Sequence, residues 1–118
     1  MGYPIQIMVG MSTAGIGMHD AIVELTGQLK YRIHHIQLNN DLATADLEEA
    51  AITLFAKLNP NTSTDPFVRL AEGRATYMDG LHFEGPIDVQ GPCSIHGQII
   101  HVTSINHTMR VYVEMLGK

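Results

Sequence analysis

The sequence predicts an α+β fold in which a series of strands is interrupted by one long helix. Three observations carry this. Residues 38–57, LNNDLATADLEEAAITLFAK, have the spacing of an amphipathic helix. Residues 29–38 and 108–116 alternate apolar and polar side chains with period two. Turn-forming residues punctuate the rest at Pro60, Gly85-Pro86 and Gln90-Gly91-Pro92. A single helix buries its apolar arc by lying across a curved antiparallel sheet, here of about five or six strands.

Residues 5–9 suit a short strand and 12–17 a small-residue loop; the role of residues 1–19, read as an N-terminal extension, stays open. Residues 22–26 read as a strand, Gly27-Gln28 as a turn, and 29–38 as a second strand in which Leu29, Tyr31 and Ile33 alternate with Lys30, Arg32 and His34. Asn39, Asn40 and Asp41 are all suitable N-cap residues for the helix, and Pro60 ends it. Residues 61–66 form a turn-rich loop, and 67–83 a strand with Gly73 as a bulge or turn. Residues 93–104 make a long strand and 105–107 a tight turn. Over 108–116, Met109, Val111, Val113 and Met115 take one face, and Arg110, Tyr112 and Glu114 the other.

At 118 residues the chain is expected to be one domain with a single core. An apolar fraction of 45% with 16% charged residues fits a globular protein and excludes a disordered one. The net charge of −5, with seven scattered Lys and Arg residues, argues against nucleic-acid binding. A lone cysteine, Cys93, excludes an internal disulfide and suits a reducing compartment. Neither a membrane-spanning apolar run nor a secretory leader is evident, so a cytoplasmic location without membrane contact is expected.

Within the helix, a rotation of about 100° per residue places Leu47, Ala51, Leu54 and Leu58 on one stripe. Asp46, Glu49, Thr53 and Lys57 gather opposite. Glu48 belongs to neither group: it falls between Ile52 and Phe55, with Thr44 one turn earlier. A carboxylate in apolar surroundings has its charged form disfavoured, which brings its pKa toward the range of acid–base work. Either Glu48 does such work, or it sits at the edge of the buried arc and reaches water.

Residues 80–91, GLHFEGPIDVQG, resemble the Phe-x-x-Pro-Val-x-x-Gly stretch of hot-dog-fold acyl-CoA thioesterases through Phe83, Pro86, Ile87 and a glycine one position late at Gly91. Residues 38–51 are similar to that family's Val-His-Gly-Gly-x-x-Ala-x-x-x-Asp-Glu-Ala-Ala pattern, which sets Glu48 on the catalytic acid. The resemblance covers residues 31–116 and implies a hot-dog fold hydrolysing an acyl-CoA or acyl-carrier thioester. Glu48 would then be base or nucleophile, with Asn39 and Asn40 at the helix start and Thr44, Thr76 and His34 contacting substrate. It further implies a homodimer or homotetramer and no cofactor beyond the CoA moiety of the substrate. Asn39-Asn40-Asp41 replaces the family's His-Gly-Gly, and Ile33 a frequent asparagine. Those departures open a second reading, a non-catalytic hot-dog module that binds an acyl ligand or a partner protein.

The seven histidines show no metal-ligand spacing: no His-x-His lies on a strand, and His34 and His35, adjacent on one, are expected on opposite faces. No metal is expected. Cys93 reads as a small buried or edge thiol, and the 12–17 loop lacks the lysine of a nucleotide-binding P-loop.

Overall fold

Period-two alternation dominates the fold. The computed structural model describes residues 5–12, 17–40, 50–58, 67–75, 80–101 and 107–117, and these form eight strands. They are β1 (Gln6–Ser12), β2 (Gly17–Leu25), β3 (Lys30–Asn40), β4 (Ala50–Leu58), β5 (Phe67–Ala75), β6 (Leu81–Gln90), β7 (Cys93–His101) and β8 (His107–Gly117). Two four-stranded sheets result, ordered β1-β8-β3-β6 and β2-β7-β4-β5.

All pairings are antiparallel. β1 pairs with β8, β2 with β7, β3 with β6 and β4 with β5, as in one long hairpin. Rolling that hairpin adds the pairs β3–β8 and β4–β7. The result is the strand order of a jelly roll, in which only the β4–β5 link joins neighbours of one sheet.

The inner faces meet in one core. The first sheet contributes Tyr31, Ile33, Ile36, Leu38, Val89, Met109, Val111 and Val113; the second contributes Ala21, Val23, Leu25, Cys93 and Ile95. Ile33, Ile36 and Leu38 are fully buried, each stabilising the fold by about 1.5–3 kcal/mol relative to exposure. The alternation expected for 108–116 is present: Met109, Val111 and Val113 are buried, Met115 packs against them, and Arg110, Tyr112 and Glu114 are half-buried on the other side.

The expected α+β hot-dog fold with its central helix is overturned. No described residue is helical; β3 runs on through Asn39 and Asn40, and residues 50–58 form β4. The sequence over 50–58, AAITLFAKL, satisfies period two as well as 3.6, because Ile52, Leu54, Ala56 and Leu58 alternate with Thr53, Phe55 and Lys57. Hydrogen-bonding neighbours on both sides, β5 and β7, decide in favour of a strand. Other elements differ from expectation as well: there are eight strands where about five or six are expected, and β2 begins at Gly17 and not at residue 22. Residues 67–83 divide between β5 and β6, and Gly85-Pro86 lies inside β6, joined by a cis peptide bond.

Edge strands β1 and β2, one from each sheet, close one side of the sandwich at Gly10. A Cβ on Gly10 would stand 2.6 Å from the carbonyl oxygen of Ile22. Backbone cannot yield as a side chain does, so Gly10→Ala should force β1 off β2 and destabilise the protein by about 1–3 kcal/mol. Val9, 56% exposed next to it, should tolerate Val9→Thr within about 0.5 kcal/mol. Urea unfolding midpoints check both. Equal midpoints for Gly10→Ala and the parent would show that β1 does not seat as described.

Candidate functional site

The β3 sequence Tyr31-Arg32-Ile33-His34-His35-Ile36-Gln37-Leu38 breaks its own alternation. Ile33 and Ile36 are both fully buried although three residues apart, and in a regular strand they would face opposite sides. The break is a bulge. Against β8, Ile33 pairs with Val113 and His35 with Tyr112, leaving His34 as the extra residue. Against β6, Ile33 pairs with Ile87 and His35 with Glu84, so Gly85 and Pro86 together span the position of His34. Gly85 is required here, because a Cβ would collide with the carbonyl of Ile33. The bulge turns both His34 and His35 outward, which corrects the expectation that they face opposite sides.

The outer face of this sheet is thereby a grid. One row across the strands reads Ile7, Tyr112, His35, Glu84, and the next Val9, Arg110, Gln37, His82. His34 Nε2 stands 2.9 Å from Glu114 Oε1, and since a carboxylate only accepts, the imidazole N–H donates. His35 Nε2 and His82 Nδ1 are 3.0 Å apart. The Tyr112 ring meets His35 edge-on, centroids 5.5 Å apart. Arg32 donates a fork of two hydrogen bonds to Asp88, from Nε to Oδ1 at 2.8 Å and from Nη2 to Oδ2 at 3.1 Å. That guanidinium hydrogen bond holds the Asp88 carboxyl below its usual range and raises Arg32 in turn. Along β1 the same face carries Ile5, Ile7, Val9 and Met11, each more than half exposed. An apolar edge therefore adjoins a polar and aromatic field.

The predicted site residues do not converge. His34 and Asn39 share β3 and its outer face but lie five residues apart, roughly 15 Å along a strand. Asn39 pairs across with Thr108, its side chain against Gly80. Asn40 pairs with His107 at the strand end. Glu48, Thr44 and Thr76 lie outside the described residues. The expected helix start at Asn39 and Asn40 is strand. The acyl-thioester hydrolase reading loses its scaffold, and with it go the acyl-CoA or acyl-carrier partner and the hot-dog homodimer or homotetramer. Arg32, His82, Asp88, Tyr112 and Glu114 are not singled out by the sequence. The usable signal was the isoleucine spacing around His34-His35, which a regular strand cannot bury.

The second sheet carries another polar row. Ser94 Oγ is 2.7 Å from His96 Nε2, and His96 Nδ1 is 3.5 Å from Asp20 Oδ2. The order is that of a hydrolytic triad, but Ser94 is only 5% exposed, mid-sheet between β2 and β4. A nucleophile must meet a substrate carbonyl, and Ser94 does not reach the surface. This row is hydrogen bonding across a sheet. Among the described residues no three His, Cys, Asp or Glu side chains are grouped as a metal set, and no helix is long and apolar enough to cross a membrane.

Two consequences can be measured. Cys93 is 2% exposed, and burial pushes its thiol above the usual range; thiolate is the reactive form. Ellman's reagent at neutral pH should label it at least about a hundredfold more slowly in folded than in denatured protein. Comparable rates would overturn its place in the core. Asp88, with its folded pKa depressed, contributes stability above the unfolded aspartate value of about 3.9, lost as pH falls through its lower folded value. Stability measured from neutral pH into this acid range should fall less steeply in Asp88→Asn; identical profiles would show that the Arg32 pairing does not persist in solution.

No family model and no curated protein matches this chain. Among solved structures it is similar to the Yersinia pseudotuberculosis-derived mitogen, with 12% identity and a TM-score of 0.47 over 92% of this chain and 86% of that one. It is similar also to a CBM4 structure, with 13% identity and a TM-score of 0.45 over 94% and 77% of the two chains. A third likeness is to the CBM22-1–GH10 modules of Clostridium thermocellum endo-1,4-β-D-xylanase 10B, complexed with xylohexaose. It has 12% identity and a TM-score of 0.45, and covers 99% of this chain but 29% of that one.

Proposed function

We propose that the protein is a non-catalytic binding module that holds a neutral oligosaccharide on the outer face of the β1-β8-β3-β6 sheet. The observation that carries this is the bulge at His34, which sets two adjacent imidazoles beside Tyr112, Glu114, Gln37 and His82 on one face. Planar carboxylate, amide, guanidinium and imidazole groups offer paired donors and acceptors suited to neighbouring hydroxyls. Sugar rings also carry C–H faces, which the Tyr112 ring and the apolar residues of β1 complement. The charged groups of this face balance in sign, Lys30, Arg32 and Arg110 against Glu84, Asp88 and Glu114, with Arg32 paired to Asp88. A neutral ligand rich in hydroxyls suits such a face better than an ionic one does.

Affinity electrophoresis and calorimetry against soluble glucans, xylans, mannans and galactans test the reading. At least one class should bind, and Tyr112→Ala or His35→Ala should weaken it about tenfold, near 1.4 kcal/mol. Ser94→Ala, on the other sheet, should leave affinity unchanged. No binding to any class, or binding indifferent to Tyr112 and His35, would overturn the proposal.

A further inference from the structure

We infer that His35 and His82 form a two-imidazole chelate for a divalent first-row transition-metal ion, with Cu²⁺ and Ni²⁺ favoured over Zn²⁺. The site lies on the same face as the proposed ligand surface but does not rest on that reading, since it requires only the two rings. The pair is diagonal across β3 and β6: His35 stands opposite Glu84 and His82 opposite Gln37, on the side of the sheet away from the core. Their facing nitrogens, His35 Nε2 and His82 Nδ1, are 3.0 Å apart, with ring centroids at 5.1 Å and planes inclined at 54°. In the metal-free protein one of these nitrogens donates a proton to the other. For a metal ion to bind, the donating ring changes tautomer, its proton passing through water to its other nitrogen, so that each neutral imidazole turns a lone pair to the ion.

Distance selects the ion. Two nitrogens, each about 2.0–2.1 Å from one metal and 3.0 Å from each other, subtend roughly 91–97° at it. That angle belongs to adjacent positions of a square-planar or octahedral ion, the preference of Cu²⁺ and Ni²⁺. Tetrahedral Zn²⁺ needs the nitrogens about 3.3–3.4 Å apart, so the pair must first open. Affinity order runs the same way, with copper the tightest of the divalent series. The surroundings suit a cation with an incomplete protein shell. His82 is exposed and His35 half-buried, so water reaches the pair and can complete the ion's shell. Tyr112 meets one side of the His35 ring edge-on, and the Glu84 carboxylate is placed across from His35 in the register. Arg110, one row away opposite Gln37, is the nearby cation in the grid.

The experiment is titration of the whole chain with Ni²⁺ or Cu²⁺ alone by calorimetry, with Zn²⁺ in parallel and copper spectra as a second readout. One ion per chain should bind with Cu²⁺ and Ni²⁺ ahead of Zn²⁺, and the bound copper should carry the nitrogen splitting of two imidazoles. Either His35→Ala or His82→Ala should lower affinity at least tenfold while His34→Ala and His96→Ala leave it unchanged. His35→Gln and His82→Gln, checked for native circular dichroism, separate loss of a ligand from loss of the fold. The inference is overturned if either alanine variant binds like the parent, if all four variants weaken equally, or if Zn²⁺ binds tightest. Failure of oligosaccharide binding would leave these results untouched.

Discussion

The structure turns on one requirement of β3. As the strand hydrogen-bonded to both β6 and β8, it has to send Tyr31 and Ile33, and then Ile36 and Leu38, into the same core. Strict alternation cannot do this, because positions 33 and 36 have opposite parity. One extra residue, His34, restores the phase, and both neighbouring ladders shift where it is inserted. On the β6 side the shift is taken up by Gly85 and Pro86 against the carbonyl oxygen of Ile33. Without the bulge either Ile36 and Leu38 would face water or the pairing would slip along both neighbours. Each such side chain is worth about 1.5–3 kcal/mol of burial, which exceeds the cost of one unpaired ladder position.

Rolling a single long hairpin explains the remaining arrangement. Pairing β1 with β8 and β2 with β7 brings the two ends of the chain to neighbouring strands, so most of the sheet is closed by residues far apart in sequence. The rolled sheets leave β1, β6, β2 and β5 at their edges. These edges differ. β2 presents Asp20 and Glu24 outward, β5 carries an exposed Arg69–Glu72 ion pair, and β6 has Pro86 within it. Such features discourage a further strand from adding to an edge. β1 has no charged residue between Gln6 and Ser12 and shows water an apolar row. Alone among the four edges, β1 carries its apolar row without a guarding charge, and that row adjoins the polar grid of β8 and β3.

Individual alternating strands are legible in the sequence, the fold class is not, and the difference has physical causes. The alternation in 108–116 and the turn at Gly27-Gln28 correspond to β8 and to the β2–β3 link, because period two with bounding turn residues has few competitors. Over residues 50–58 a short run of alanine, leucine and isoleucine fits either period, and the partner that completes its pairing on the far side, β7, is remote in sequence. The α+β class and the hot-dog resemblance both leaned on that helix. Glu48 stands out by helical geometry together with the hot-dog resemblance, and lies outside the described residues. His34 was chosen as a substrate contact and does lie on the candidate face, but in partnership with Glu114, eighty positions away, which no local spacing reveals.

The bulge joins the stability of the core to the chemistry of the surface. A regular β3 would place one of His34 and His35 inward, where an imidazole must find hydrogen-bonding partners among Ile33, Ile36 and Val111, all fully buried. With the bulge, neither imidazole enters the core, and the next row of β3, Gln37, keeps its alignment with Arg110 and His82. The extra residue that keeps isoleucines inside therefore also brings His35 to His82 and His34 to Glu114. A substitution that relieved the irregularity would have to give up either the buried phase of β3 or the histidine pairs outside it. The core residues and the candidate binding residues of this strand are selected by one backbone feature and cannot vary independently.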